Sequence, residues 1–343
     1  MPTACILQRD ARIHLESERL LVREADSATG PGPVLREIPL RDLDRLIIGE
    51  GVQITSQALS AVLRAAVPVS LLGWDGDYLG GFLPAVNTHG RARLRQYERT
   101  LDPAFGIQMA GRIVTAKLYN QRRVLQRVGA SRAAGEPPAD DQSLRASLDW
   151  LDNLFARVAQ AGSVDEIRGY EGAATARYFQ AWGGFLPAAF PFERRSTRPP
   201  LNAVNACISY ASTLLYHEAV AFIHTHGLDP ALGFLHVPED GRWSLALDLL
   251  EPFRPALAEA LTLDVFSHQM LAAEHFEPRH GGVYLNDTGR RKFIMQYERR
   301  MEREFMSECA GHRTSLRQQL EQQAVMLKGA LERPGAFEPF LMN

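Results

Sequence analysis

Three separated segments of this 343-residue chain set acids and a histidine among apolar or small residues. They are residues 169–174, 233–236 and 247–255, and their ionisable members include Glu171, His236, Asp248 and Glu251. Carboxylates are rarely buried without a partner. A divalent cation held by carboxylate oxygens and one imidazole satisfies all of them at once. The pattern therefore predicts a metal site, and with it a metal-dependent enzyme.

Each of these residues also has an ordinary structural explanation. Glu171 lies near the predicted start of a helix, where an acid stabilises the helix dipole. A lone loop histidine such as His236 is more often a surface or core residue than a ligand. Asp248 and Glu251, by contrast, are three residues apart on one predicted helix face, so they repel each other unless a cation lies between them. Spacing alone therefore favours a metal at this pair and leaves Glu171 and His236 undecided.

Positive charge is concentrated in one part of the chain. The whole chain has a net charge of −2, which indicates no particular partner. Residues 91–132, however, carry ten basic residues against two acidic ones, a local net charge of +8. Such a stripe suits contact with phosphates, although a solvated helix face explains it equally well.

Composition and motifs exclude several classes of protein. The cysteines Cys5, Cys207 and Cys309 are widely spaced, which excludes a disulfide framework and a thiolate zinc site and fits a reducing cytosol. His217-Glu218 lacks the second histidine of a zinc-protease motif, and no nucleophile elbow supports Ser-His-Asp catalysis. The chain shows neither a signal-peptide pattern nor an apolar run near the ~20 residues that cross a bilayer. We therefore expect a cytoplasmic protein with no membrane contact.

Hydrophobic periodicity divides the chain into two domains. Residues 1–84 are predicted to form short strands and one helix at 56–66, which is typical of a β-sandwich-like or Greek-key domain. Residues 85–90 are predicted to be a linker, and residues 91–343 a larger, all-α catalytic domain. Its predicted helices span 91–100, 105–127, 143–161, 164–182, 203–224, 245–263, 287–309 and 312–331. The expected fold class is α+β, with separate domains.

The order and spacing of several short motifs resemble one known family. They are residues 113–122 (IVTAKLYNQR), 170–172 (YEG), 198–206 (RPPLNAVNA), 233–236 (GFLH) and 245–255 (LALDLLEPFRP). Together they resemble the CRISPR-associated Cas1 family, the integrases of spacer acquisition, over nearly the whole chain. Two positions depart from the family's pattern: Glu251 and Asn202 each stand where aspartate is common.

The resemblance implies a fold and a site. The fold is an N-terminal β-sandwich joined to a helical domain. The metal ligands fall on Glu171, His236 and Glu251, which hold Mg²⁺ or Mn²⁺, and Asp248 is an additional acid near that site. Whether His236 is a ligand or relays a proton stays open. The residues expected to contact DNA are Lys117, Arg112, Arg122, Arg290, Arg291 and Lys292.

The resemblance also implies an activity and partners. The activity is that of a DNA endonuclease and integrase in antiviral defence, which joins the 3′-hydroxyl of a prespacer to the repeat and leader of a CRISPR array. A homodimer forms through the β-domain, and two such dimers flank a Cas2 dimer in a heterohexamer. Two alternatives remain at this point. One is a stand-alone metal-dependent nuclease acting on branched DNA, and the other is a non-catalytic DNA-binding scaffold.

Overall fold

The computed structural model describes residues 3–26, 30–73, 78–85, 89–133, 141–308 and 311–343. They form two compact units, Met1–His89 and Gly90–Asn343. The division between the units lies within the segment 85–90, where the sequence predicts a linker.

Two four-stranded sheets form the described part of the first unit. In chain order its elements are β1 (Thr3–Ile6), β2 (Arg12–Glu16), β3 (Arg19–Arg23), β4 (Val34–Pro39), β5 (Arg45–Gly49), β6 (Gln53–Ile54), α1 (Ser56–Arg64), β7 (Val69–Leu72) and β8 (Tyr78–Phe82). One sheet has the strand order β1-β5-β7-β8 and the other β4-β3-β2-β6. The prediction of a β-rich N-terminal region is confirmed.

The two sheets and α1 share one hydrophobic core. Ile13 of one sheet, Leu46 of the other and Val62 of α1 are all fully buried. The helix begins after Thr55, whose Oγ1 accepts a hydrogen bond from the Ala58 N–H at 3.2 Å and so satisfies a donor of the first turn. The pairs β1–β5 and β5–β7 are parallel. Local turn patterns do not reveal such pairs, because a long crossover joins parallel strands.

The second unit is mainly helical. Its helices are α2 (Gly90–Thr100), α3 (Pro103–Ala133), α4 (Asp141–Gln160), α5 (Val164–Gly183), α6 (Ala203–Thr225), α7 (Ser244–Leu250), α8 (Ala260–Ser267), α9 (Asp287–Glu302) and α10 (Leu316–Ala330). Helix α3 packs along α4 and α5, while α6 packs against α7, α8 and α10.

Two short hairpins correct the prediction that this unit is entirely helical. The strands β9 (Phe276–Arg279) and β10 (Gly282–Leu285) pair antiparallel, as do β11 (Phe305–Ser307) and β12 (His312–Thr314). The helix predicted to reach residue 309 therefore ends at Glu302. Gly311, between β11 and β12, has φ +69°, a left-handed conformation that glycine adopts without strain.

The helix predicted for residues 245–263 is broken where the site lies. Helix α7 ends at Leu250, and a π-helical segment, Pro255–Glu259, precedes α8. Pro252 and Pro255 explain the break, because proline lacks the N–H that an α-helix interior needs. Glu251 is the C-cap of α7, and its N–H donates to the Asp248 carbonyl at 3.4 Å.

Helix α6 is the core helix of the second unit. Among the described residues it alone has the length and apolarity of a membrane span, yet 78% of its most apolar window is buried within the fold. Burial against neighbouring helices accounts for that apolar composition.

Candidate active site

A buried lysine joins two of the predicted site acids. Lys117 projects from α3, and its Nζ donates to Oε1 of Glu171 on α5 and to Oε2 of Glu251, 2.5 Å away in the turn after α7. Lys117 and Glu251 are each 4% exposed. Three distant segments of the chain thus meet at one buried positive charge.

Glu251 is held from both sides of its carboxylate. While Oε2 accepts from Lys117, Oε1 accepts from Nε of Arg254 at 2.9 Å. Nη1 of Arg254 also donates to Oγ of Ser212 at 3.2 Å. Burial opposes ionisation, but the charges of Arg254 and Lys117 prevail and lower the pKa of Glu251 to about 2. Glu251 therefore stays a carboxylate at any physiological pH.

Asp248 of α7 is fully buried and holds the loop that carries His236. Its Oδ2 accepts the backbone N–H groups of Phe234 and Leu235 at 2.5 and 3.0 Å. Its Oδ1 accepts the backbone N–H of His236 and contacts Nδ1 of the same residue at 2.7 Å. Asp248 and Glu251 therefore each have their own partners within the fold.

The contact with Asp248 determines which nitrogen of the His236 ring is available to bind a ligand or a proton. Nδ1 points to the carboxylate, so the proton belongs on Nδ1 and Nε2 remains for a ligand or a proton. Burial opposes protonation of the ring, but the hydrogen bond and charge of Asp248, helped by the charge of Glu251, raise the pKa of His236. The charges of His236 and Glu251 therefore influence each other.

Glu171 lies deeper in its helix than the helix-dipole explanation requires. It lies in the middle of α5 rather than near its start, so the helix-dipole explanation does not apply. Its Oε1 accepts from Thr175 Oγ1 at 2.9 Å as well as from Lys117. Glu171 is partly exposed and is thus the member of the acid pair that solvent can reach.

Asn120 supports the turn that presents Glu251. Its side chain is fully buried, and its Nδ2 donates to the carbonyls of Pro252 at 2.7 Å and Phe340 at 2.9 Å. Its Oδ1 accepts the N–H of Met342 at 2.7 Å. Asn120 is one helical turn beyond Lys117, and that spacing in the 113–122 motif was the available signal for a shared role.

The donor types at this site are those that hard, oxygen-preferring cations use. Two carboxylates already converge on the positive charge of Lys117, and Nε2 of His236 is free of the Asp248 contact. Carboxylate and imidazole donors suit Mg²⁺ and Mn²⁺. Among the described residues, however, no three His, Cys, Asp or Glu side chains lie close enough together to hold a metal. The ammonium group of Lys117 is the cation between Glu171 and Glu251.

The residues predicted to contact DNA have varied surroundings. Lys117 does not match a surface phosphate contact, because it is buried in an ion pair with both acids. The other five side chains are at least partly exposed. Arg112 donates to the carbonyls of Gly335 and Phe337, and Arg122 pairs with Asp152. Arg290 pairs with the Asp287 carboxylate, Arg291 donates to the Asp287 carbonyl, and Lys292 contacts His275. Part of the positive stripe therefore has intramolecular partners.

Comparison with known protein families shows which family the chain belongs to. The family model described as CRISPR associated protein Cas1 matches residues 4–299. The chain belongs to the Cas1 family. The resemblance drawn from the motifs is confirmed, and the site geometry above is that of a Cas1-family chain.

Two sequence relatives show how far the similarity extends. The CRISPR-associated endonuclease Cas1 1 of Thermus thermophilus is 32% identical over 340 residues, 99% of each chain. The CRISPR-associated exonuclease Cas4/endonuclease Cas1 fusion of Geobacter sulfurreducens is 31% identical over 334 residues, which are 95% of this chain. The chain spans 56% of the length of that fusion.

Solved Cas1 structures share the fold. The Cas1 protein TM1797 of Thermotoga maritima has a TM-score of 0.78 at 22% identity, over 99% of this chain and 100% of that one. A casposase bound to an integration product has a TM-score of 0.81 at 22% identity, over 96% and 90% of the two chains. A chain of a partial Cas6-RT-Cas1--Cas2 complex has a TM-score of 0.69 at 25% identity and full coverage of both. The α+β fold class is confirmed.

Proposed function

We propose that this chain is a metal-dependent DNA endonuclease and integrase of CRISPR adaptation. In the proposed reaction the 3′-hydroxyl of a prespacer attacks a phosphodiester of the CRISPR repeat. The observation that carries the proposal is the convergence of Glu171 and Glu251 on one buried cation, with His236 oriented by Asp248 and coupled to Glu251. Family membership supplies the choice of DNA as the substrate.

Each site residue has a role that follows from its contacts. Glu171, His236 and Glu251 would hold Mg²⁺ or Mn²⁺, which when bound supplies a Lewis acid for the scissile phosphate and the leaving 3′-oxygen. Arg254 holds one oxygen of Glu251 and fixes the orientation of that carboxylate. Asp248 keeps Nδ1 of His236 occupied, so that Nε2 binds the ion or moves a proton.

The proposed partners follow from the relatives and from exposed surface. The casposase is described with an integration product and another relative with Cas2, which supports DNA and a Cas2 dimer as partners of this chain. Arg112, Arg122, Arg290, Arg291 and Lys292 remain the proposed DNA contacts. Val34, Leu35, Leu79 and Phe82 are exposed on strands of the first unit and support a homodimer through that unit, within a heterohexamer in the cytoplasm.

Strand joining in vitro tests this function. Purified protein with a Cas2-type partner is expected to insert a prespacer into a repeat-bearing plasmid when Mg²⁺ or Mn²⁺ is present, and to fail when the prespacer carries a 3′-deoxy end. Glu171→Ala, His236→Ala and Glu251→Ala are each expected to reduce joining about 100-fold or more. Glu239→Ala, at an exposed acid of the His236 loop region, is the matched control.

Two outcomes would count against the proposal. Free hydrolysis of DNA without any joining would favour the stand-alone nuclease. Unchanged joining in all three site variants would refute the site assignment.

A further inference from the structure

A third carboxyl group is buried beside the two acids that Lys117 bridges. Glu259 ends the π-helical segment, is 3% exposed, and its Oε2 has no hydrogen-bond partner. Tyr178 of α5 is its neighbour, and its hydroxyl makes a loose contact with the carboxyl group that falls outside normal hydrogen-bond geometry. Buried polar groups are nearly always paired, so an unpaired carboxyl oxygen calls for an explanation.

Lys117 is near enough to act on Glu259. Helix α3, which carries Lys117, packs directly against the Pro255–Glu259 segment. Burial raises the pKa of Glu259 to about 7, and among the groups that oppose burial the charge of Lys117 is the strongest, ahead of the Tyr178 hydroxyl and the charge of Arg254. Lys117 thus has two carboxylates in contact and a third buried carboxyl group within electrostatic range.

A divalent ion and the Lys117 ammonium group compete for one place. Both require the carboxylates of Glu171 and Glu251, and two like charges a few ångströms apart in a poorly screened interior repel strongly. The ammonium group cannot be left unpaired among apolar groups. The flexible lysine stem allows the charge to move while its backbone stays in α3.

We propose that Lys117 holds the metal position in the metal-free chain and transfers its ammonium group to Glu259 when the metal binds. Glu259 is then a positioning residue that receives the displaced cation, and no covalent bond changes. The proposal rests on the proposed function only in taking Glu171 and Glu251 as metal ligands.

Binding of Mn²⁺ alone to the full chain, measured by the loss of the free-ion EPR signal at pH 8, tests the transfer. Glu259→Gln is expected to weaken Mn²⁺ binding at least tenfold, because Lys117 loses its second partner. Lys117→Met is expected to tighten binding, since the competing cation is gone. In the Lys117→Met background, Glu259→Gln is expected to change the affinity less than twofold. Glu259→Asp, which keeps the charge, is expected to restore most of the affinity.

The outcomes separate this inference from the proposed function. Wild-type affinity in Glu259→Gln, or an equal loss with and without Lys117, overturns the transfer. The second result would mean that Glu259 acts only on the fold, and a thermal melt of each variant monitors that effect directly. Unchanged Mn²⁺ affinity in Glu171→Ala would instead refute the metal site itself. Normal Mn²⁺ binding without strand joining would count against the integrase function alone.

Discussion

At the scale of single residues, Asp248 is the group whose contacts do most to shape the site. It accepts three consecutive backbone N–H groups and faces Nδ1 of His236. A carboxylate provides enough acceptor positions for all four contacts, whereas an amide offers one oxygen. The charge of Asp248 therefore matters to the loop even if it never touches a metal.

Asp248→Asn is expected to destabilise the chain by about 3 kcal/mol, because buried N–H groups lose a charged acceptor. Urea denaturation of variant and wild type measures the difference. Asp240→Asn changes an exposed acid in the same region and is expected to leave the free energy of unfolding unchanged. Equal stability of Asp248→Asn and wild type would show that the loop does not depend on the carboxylate.

Sequence reasoning identified the acids and the histidine but not their pairing. Glu171, His236 and Asp248 stand out because acids and imidazoles are unusual in apolar segments. Lys117 was expected to contact DNA, as part of the basic stripe. Its true partners, Glu171 and Glu251, lie 54 and 134 residues away, and no local pattern specifies so distant a contact.

At the scale of elements, the break between α7 and α8 creates the turn that presents Glu251. Periodicity predicted one continuous helix there, since apolar residues recur on both sides of Pro252. Pro252 and Pro255 interrupt the helix, and Asn120 of α3 fixes the resulting turn, since it holds the Pro252 carbonyl and two backbone groups near residues 340–342. The two hairpins of the second unit were missed for a related reason, because strands of three or four residues carry little periodic signal.

Asn120→Ala is expected to lower stability by about 2–3 kcal/mol, because it leaves buried carbonyl and N–H groups without partners. Strand joining is expected to fall in parallel, since the Glu251 turn loses its support. Chemical denaturation and the joining assay measure the two effects. Asn153→Ala, at an exposed position of α4, is the control. Reduced stability with normal joining would separate Asn120 from the site.

At the scale of the whole molecule, a second charged cluster ties α6, α9 and α10 together. Arg317 donates to Glu218 at 2.9 Å and to Glu298 and Glu302 at 3.0 Å. One cation thus faces three acids. Burial raises the pKa of Glu298 to about 7 against the opposing charge of Arg317, and the charge of Glu218 adds to the rise.

This cluster makes the stability of the chain depend on pH. The folded chain keeps the Glu298 proton up to pH about 7, whereas the ordinary value is 4.5. The bound proton therefore stabilises the fold fully below pH 4.5, and that contribution is lost as the pH rises to 7. The free energy of unfolding of Glu298→Gln, measured relative to wild type, is expected to rise by up to about 3 kcal/mol between pH 4.5 and pH 8. Urea unfolding across that range measures the gain.

A parallel titration of Glu304→Gln, at an exposed acid of the same region, provides the reference. A pH-independent difference between Glu298→Gln and wild type would contradict the assignment of this titration to Glu298.

The lysine between Glu171 and Glu251 also bears on how the chain matures. Small metalloproteins often stay unfolded until the ion arrives, because their ligands repel one another without it. Here the polypeptide supplies its own counter-charge: Lys117 offsets part of the charge of Glu171 where α3 meets α5, and of Glu251 where the turn after α7 joins them. Newly made chains can therefore complete this part of their fold without any metal ion.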